Sequence, residues 1–333
     1  MKISAISLEH FRNIGLARLE FDPCRPVFFV GDNAQGKSNL LEGIALVTAL
    51  RSFRTHELAP LIQTRRRQAR VFYKVKDERD EKNEIEIRLS ARKRSAEVDG
   101  LEVTRLADYI GRYPSVVFGA DDIQLVKSSP QGRRRFFDLL LSVVDGGYLE
   151  HLQDYHRALR ERNNALKSRM GRAIVAAYDP VVAKHAHAVA CKRRDWLERF
   201  AVHFTACYSE ITDGNEAAGV ELRSNATVDS EPQMLERLKS AYERDHAVGS
   251  TQIGPHRDDY AFSVSEMGAR GFGSDGQQRS LALALKLAQV RFVREVLGRK
   301  PVVLLDDILG ELDPSRRRGF WRVFDADCQV FAS

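Results

Sequence analysis

Apolar and polar positions alternate along the chain in several distinct regimes. Val27 to Val30 form an uninterrupted apolar run, which predicts a short buried strand. Leu40, Leu41, Ile44 and Val47 then recur at helical spacing. From about Arg70 to Val103, "RVFYKVK", "EIEIRLS" and "EVDGLEV" alternate with a period of two and are punctuated by turn residues such as Asp99-Gly100. That pattern predicts an antiparallel meander rather than continuing βα units. From about Asp121 to Asp245 the period becomes helical, with Leu149, Leu152, Tyr155 and Leu159 as one stripe and Pro180 interrupting a later segment. No heptad is sustained long enough for a long coiled-coil arm. Near the end, Val302 to Leu305 is a second apolar run.

What joins the first run to its helix is chemically specific. Gly31-Asp32-Asn33-Ala34-Gln35-Gly36-Lys37-Ser38 fits G-x-x-x-x-G-K-[ST] without a mismatch, between a predicted strand and a predicted helix. The glycines let successive N–H groups turn inward on a phosphate chain. The helix beginning near Lys37 adds the positive end of its dipole. In this reading Lys37 neutralises the β- and γ-phosphates of ATP, and the Ser38 hydroxyl ligates Mg²⁺.

The second apolar run ends in Asp306-Asp307. An acid at the carboxyl end of a buried strand is where P-loop enzymes hold Mg²⁺ through water, a role assigned to Asp306. The next acid, Asp307, is placed to orient or deprotonate an attacking water. A single P-loop domain of roughly 150 residues cannot separate two such motifs by most of this chain without a large insertion. The expected organisation is therefore a split head. Residues 1–120 and 246–333 supply its halves, and residues 121–245 form an inserted helical arm.

Composition narrows the class only modestly. Among 333 residues, 52 Lys and Arg exceed 46 Asp and Glu, a net charge of +6, which is a weak pointer to a polyanionic partner. Cys24, Cys191, Cys207 and Cys328 are scattered and suggest neither a zinc site nor a disulfide framework. "MKISAISLEH" is charged and has no signal-peptide core. Every apolar run falls far short of the ~18 residues of a membrane span. A cytoplasmic location is expected.

Two odd stretches follow the arm. Ser274-Asp275-Gly276-Gln277 opens a long amphipathic helix. It is similar to the S-G-G-Q signature of ABC-type ATPases, with Asp275 in place of one glycine; a serine there is also a common N-cap. About twenty residues earlier stands "GPHRDDY", Gly254 to Tyr260. Its His256 and Arg257 either face the nucleotide or a dimer interface, or pair with Asp258 and Asp259 to fix the return from the arm.

From "LEHFRNIG" through "GDNAQGKSNLLEGI", "LRSFRT", "VVFGADDIQLVKSSPQGRRRFFD" and "YHRALRERNNALK" to "TQIGPHRDDY", "GQQRSLALALKLA" and "LLDDILGELD", the whole chain resembles the RecF family of bacterial recombination mediators. The resemblance implies an α/β fold: a split ABC-type P-loop head related to SMC heads, with an antiparallel β subdomain and an inserted helical arm. It implies a weak, DNA-stimulated ATPase with ATP and Mg²⁺ as cofactors. It also implies an ATP-dependent homodimer on single-stranded or gapped double-stranded DNA. RecR would be its partner, with RecO and the loading of RecA downstream, in fork maintenance and the SOS response.

Carried over by motif, Arg12 and Asn13 lie beside the nucleotide, Ser274 and Gly276 reach the ATP of a second copy, and Glu311 to Asp313 form a D-loop. Asp307 stands where many relatives carry Glu. The chain stops at "CQVFAS", whereas the loop after this strand in relatives approaches the γ-phosphate. Either the sequence is a piece of a longer chain or that contribution is missing.

The basic excess places DNA contacts on Arg65 to Arg67, a run that otherwise reads as a solvated face, or on the arm arginines Arg157, Arg160, Arg162, Arg169 and Arg172. Arg133 to Arg135 are candidates either for DNA or for holding the arm to the head. The competing classes are a transporter ATPase, which would have a shorter insertion and a membrane partner, and a scaffold that hydrolyses little ATP.

Overall fold

The computed structural model describes residues 1–32, 34–77, 81–127, 129–265, 267–308, 320–321 and 328–333. Within these residues the fold is α/β, as the sequence indicates. One sheet is antiparallel and six-stranded, in the order Ile14–Glu20, Lys2–Phe11, Gln68–Lys76, Lys82–Ser90, Arg94–Val98, Leu101–Glu102. Along Gln68–Lys76, buried Ala69, Val71, Tyr73 and Val75 alternate with more exposed neighbours, so one face is core. The last hairpin turns on Asp99 (φ 51°) and Gly100 (φ 78°). Two consecutive residues with positive φ are what a two-residue turn needs to match strand twist.

A parallel four-stranded sheet runs in the order Val27–Phe28, Val330–Ala332, Val302–Asp306, Ser115–Gly119. Its strands come from both ends of the chain. Val302–Asp306 has a strand on each side, and its side chains alternate between two cores. Val302 and Leu304 join the core that contains the antiparallel sheet and the helix Lys37–Ala49. Val303 and Leu305 join the core built with the arm helices and the helix Asp275–Leu297. A strand buried on both faces must be apolar throughout, and this one is.

The run Val27–Val30 differs from expectation. Only Val27–Phe28 is strand; it sits at the sheet edge, with Phe28 58% and Val30 94% exposed. With a neighbour on one side only, the segment leaves the sheet after the Phe29 N–H donates to Ala332 O.

The middle of the chain is mainly helical. Gly146–Lys167 packs on the 33-residue helix Asp179–Ile211, and the latter packs on Asp275–Leu297. Pro180 opens the long helix rather than interrupting one, because a missing N–H costs nothing in a first turn. Ala218–Arg223 is a strand that the helical pattern hid; it pairs antiparallel with Asp259–Val264. Among the described residues no helix is long and apolar enough to cross a membrane.

Candidate nucleotide site and the clasp at the arm root

The P-loop motif wraps as its composition requires. Ala34 (φ 65°) and Gly36 (φ 99°) take left-handed conformations, and Lys37 begins the helix Lys37–Ala49. Gly36 is needed for space as well. A Cβ there would come within 2.8 Å of Asn13 Oδ1. The Lys37 ammonium donates to the carbonyls of Gly31 (2.7 Å) and Asp32 (2.9 Å), holding the loop closed on itself. Gly31, Asp32 and Gln35 are exposed, and Gly36 and Ser38 are half-buried at the helix start. Asn33 lies outside the described residues.

Asn13 reaches this loop, and Arg12 reaches the helix that follows it. Asn13 touches Gly36 and accepts a bond from Asn39 Nδ2 at 2.8 Å; Asn39 in turn accepts from Arg54 Nη1 at 2.8 Å. Arg12 (φ 54°) turns instead into a bidentate pair with Glu42, at 2.8 and 2.7 Å. Glu42 is fully buried, and the Ser52 hydroxyl donates to it as well. Sequence reading missed Glu42. Its signal is an acid within an otherwise apolar helix, and such a charge is tolerated only when paired.

At the same carboxyl edge of the parallel sheet, Asp306 is the last residue of its strand and accepts a bond from the Ser333 hydroxyl at 3.1 Å. Asp307 is exposed with φ 55°. The helix Lys37–Ala49 packs against this strand, so the motifs from the two chain ends share one layer. The Ser38 hydroxyl and the Asp306 carboxylate are hard oxygen donors of the kind Mg²⁺ takes. The expected D-loop, Glu311 to Asp313, lies outside the described residues.

Ser274 is an exposed N-cap. Its Oγ accepts from Gln277 N–H (3.2 Å), while Gln277 Oε1 accepts from Ser274 N–H (2.9 Å), a complete capping box. The Ser274 hydroxyl hydrogen is still available to donate, so capping and anion binding are compatible. Gly276, half-buried in the first turn, accepts from the Ser280 hydroxyl through its carbonyl. Asp275 bonds Lys127 Nζ at 2.8 Å, which holds its carboxyl below the ordinary range.

GPHRDDY is a clasp. Arg193, on the long arm helix and fully buried, donates to Asp258 (2.8 Å), Asp138 (2.7 Å) and the Pro255 carbonyl (2.7 Å). Arg133 makes a bidentate pair with Asp259 (2.8 and 2.9 Å), and Arg134 donates to the Asp258 carbonyl. Tyr260 stacks on Phe137. The two acids are thus held by arginines from distant segments, not by His256 or Arg257, which reach Thr251 O instead.

Arg162 also departs from expectation. It is buried between Asp179 (2.7 Å), Asp245 (2.7 Å) and Thr251, with no surface to offer DNA. Arg157, Arg169 and Arg172 are exposed but partnered, by Asp154, the His246 carbonyl and Glu243, and Arg65 to Arg67, Arg160 and Lys167 are exposed.

A family profile described as the RecF/RecN/SMC N terminal domain matches residues 2–332. The chain is 35% identical over 322 residues to the DNA replication and repair protein RecF of Lactococcus lactis subsp. lactis, covering 95% of this chain and 88% of that one. The chain belongs to the RecF family. It is 32% identical over 344 residues to RecF of Listeria innocua, covering 100% of this chain and 92% of the other. Among solved structures it superposes on the recombination mediator protein RecF bound to an ATP analogue, in the RecFOR pathway, with a TM-score of 0.91 and 30% identity over 99% of this chain and 92% of that one. The Smc head domain of Pyrococcus furiosus, at a TM-score of 0.54 and 16% identity, shares the fold.

Proposed function

We propose that this chain is a DNA-binding repair ATPase that closes as a homodimer around two ATP molecules. The head would be built from residues 1–120 and 246–333, with residues 121–245 as its arm. Gly31 to Ser38, Asn33 included, take the triphosphate. Lys37 exchanges the Gly31 and Asp32 carbonyls for phosphate oxygens, and Ser38 and Asp306 hold Mg²⁺, which would neutralise charge on the phosphates. Asp307 orients the attacking water of a slow, DNA-stimulated hydrolysis. Asn13 positions the loop directly, and Arg12 does so through Glu42.

The observation that carries this reading is the exposed capping box at Ser274. Its hydroxyl and the positive end of the helix Asp275–Leu297, Gly276 in its first turn, form an anion site. The γ-phosphate bound by a second copy would fill it, giving two composite sites across a two-fold axis. The solved RecF relatives with ATP or its analogue support the nucleotide. By the same likeness, the substrate is single-stranded or gapped double-stranded DNA and the partner RecR. RecO and RecA would act downstream, in gap repair, fork maintenance and the SOS response.

Sedimentation velocity provides the test. Wild type should dimerise in ATP and remain monomeric in ADP. Ser274→Arg should bind ATP as a monomer and fail to associate. Equal dimerisation of both proteins in ATP, or a dimer equally stable in ADP, would sink the reading.

A further inference from the structure

Behind the helix Lys37–Ala49 lies a cleft of about 410 Å³ that the nucleotide site does not use. Three arginines from separate segments line it. Arg51 follows the helix C-terminus, Arg94 comes from the strand Arg94–Val98, and Arg135 from the helix Pro130–Val144. Among the described residues none of the three is in an ion pair, and only Arg94 makes a bond, to the Leu50 carbonyl at 3.0 Å. The carboxylate of Glu57 at the edge of the cleft pairs with none of them.

This is unlike the other basic groups of the same region. Arg133 and Arg134, the residues just before Arg135, are both spent on the clasp. Burial, and then the charge of Arg51, holds both Arg94 and Arg135 below the usual arginine range. Arg94 is half-buried while Arg51 and Arg135 are exposed; gathering like charges is unfavourable, and an anion among them relieves it.

We infer that this cleft is a phosphate pocket that seats one backbone phosphodiester of the nucleic acid. The chemistry matches. Guanidinium forks suit the paired oxygens of a phosphate, and Thr55 and His56 add short polar groups around them. Among the described residues no Phe, Tyr or Trp lines the cleft, so they offer no platform for stacking a base. The contact is therefore blind to sequence. It rests on the DNA-binding reading above and adds to it a location, in which Arg135 alone was among the candidates the sequence offered. The residues involved are not those of the exposed basic turn at Arg65 to Arg67.

The test is fluorescence anisotropy of wild type, Arg51→Gln/Arg135→Gln and Arg51→Lys/Arg135→Lys on a labelled gapped duplex, across a range of KCl. One phosphate contact contributes about 0.9 to the slope of log affinity against log salt on duplex DNA, which is about eightfold in affinity at 0.1 M salt. The Gln pair should lose that slope and that affinity. The Lys pair, which keeps the charge, should hold the wild-type slope. An unchanged slope in the Gln pair overturns the pocket while leaving DNA binding intact. A wild type without salt-dependent DNA binding overturns the reading beneath it. ³¹P line broadening of inorganic phosphate that is lost in the Gln pair, with the DNA slope unchanged, assigns the cleft to a free anion and overturns the backbone assignment.

Discussion

The Tyr155 hydroxyl, on the helix Gly146–Lys167, lies 2.6 Å from Nδ1 of His256. On the other side of the ring, Nε2 lies 2.9 Å from the Thr251 carbonyl, which can only accept. Nε2 therefore carries the hydrogen, and Nδ1 accepts from the tyrosine. A second proton on the ring would reverse the Tyr155 bond and leave the phenol hydrogen without this acceptor. Burial, partly opposed by the Thr251 carbonyl, pulls the imidazole down to about 4 from an ordinary 6.5. Between those values the unfolded chain binds the proton and the folded one does not, so stability is full above pH 6.5 and falls as pH drops toward 4. The loss should reach about 3 kcal/mol. Urea unfolding of wild type and His256→Gln across pH 4 to 7 checks it: the glutamine variant should lack this part of the acid limb.

Arg193→Met should be the most damaging single change in the clasp. It leaves Asp258 buried without its cation and deprives Asp138 and the Pro255 carbonyl of a donor. Breaking a buried pair from one side costs about 3–5 kcal/mol. Burial already lifts the Asp258 carboxyl above its usual range, so the unpaired acid would take up a proton. Adding Asp258→Asn should recover part of the loss, measured as the midpoint of chemical unfolding.

Gly36→Ala should weaken nucleotide binding through both of its handicaps. The left-handed backbone costs an alanine about 1–3 kcal/mol, and its Cβ meets Asn13 at 2.8 Å. Trimming the neighbour in Gly36→Ala/Asn13→Ala removes only the second handicap, so affinity for a fluorescent ATP analogue should recover in part.

The catalytic assignment is most exposed at Asp307. Asp307→Asn should retain ATP affinity and slow single-turnover hydrolysis by about 10²–10⁴. Wild-type hydrolysis in this variant would remove Asp307 from the role of base.

How much of this was legible beforehand depended on how local its cause was. The P-loop and its helix are written in consecutive residues, and so is the doubly buried strand ending at Asp306. The edge position of Val27–Phe28 was not legible, because an apolar run reads the same whether one neighbouring strand covers it or two. Arg162 looked like a surface charge in a basic stretch, and nothing in the pattern singled out Arg193. Their partners Asp245 and Asp258 lie many residues away, and pairing across such distances leaves no periodic trace. The strand Ala218–Arg223 is only six residues long, and its pairing partner lies beyond two further helices. The clasp role of GPHRDDY was one of the alternatives the residues left open. Which arginines close it needed the fold.

The order of the parallel sheet has a consequence for synthesis. Val27–Phe28 and Ser115–Gly119 do not touch; Val330–Ala332 and Val302–Asp306 lie between them. A ribosome delivers the two outer strands early and their only partners in this sheet last. For most of translation the nascent head holds an open seam where its centre belongs, exposing the residues that later pack on both faces of Val302–Asp306. The helical arm is complete before that seam can close. The nascent chain should therefore need shielding late in synthesis, and a ribosome stalled before about residue 302 should present a protease-sensitive head beside an already folded arm.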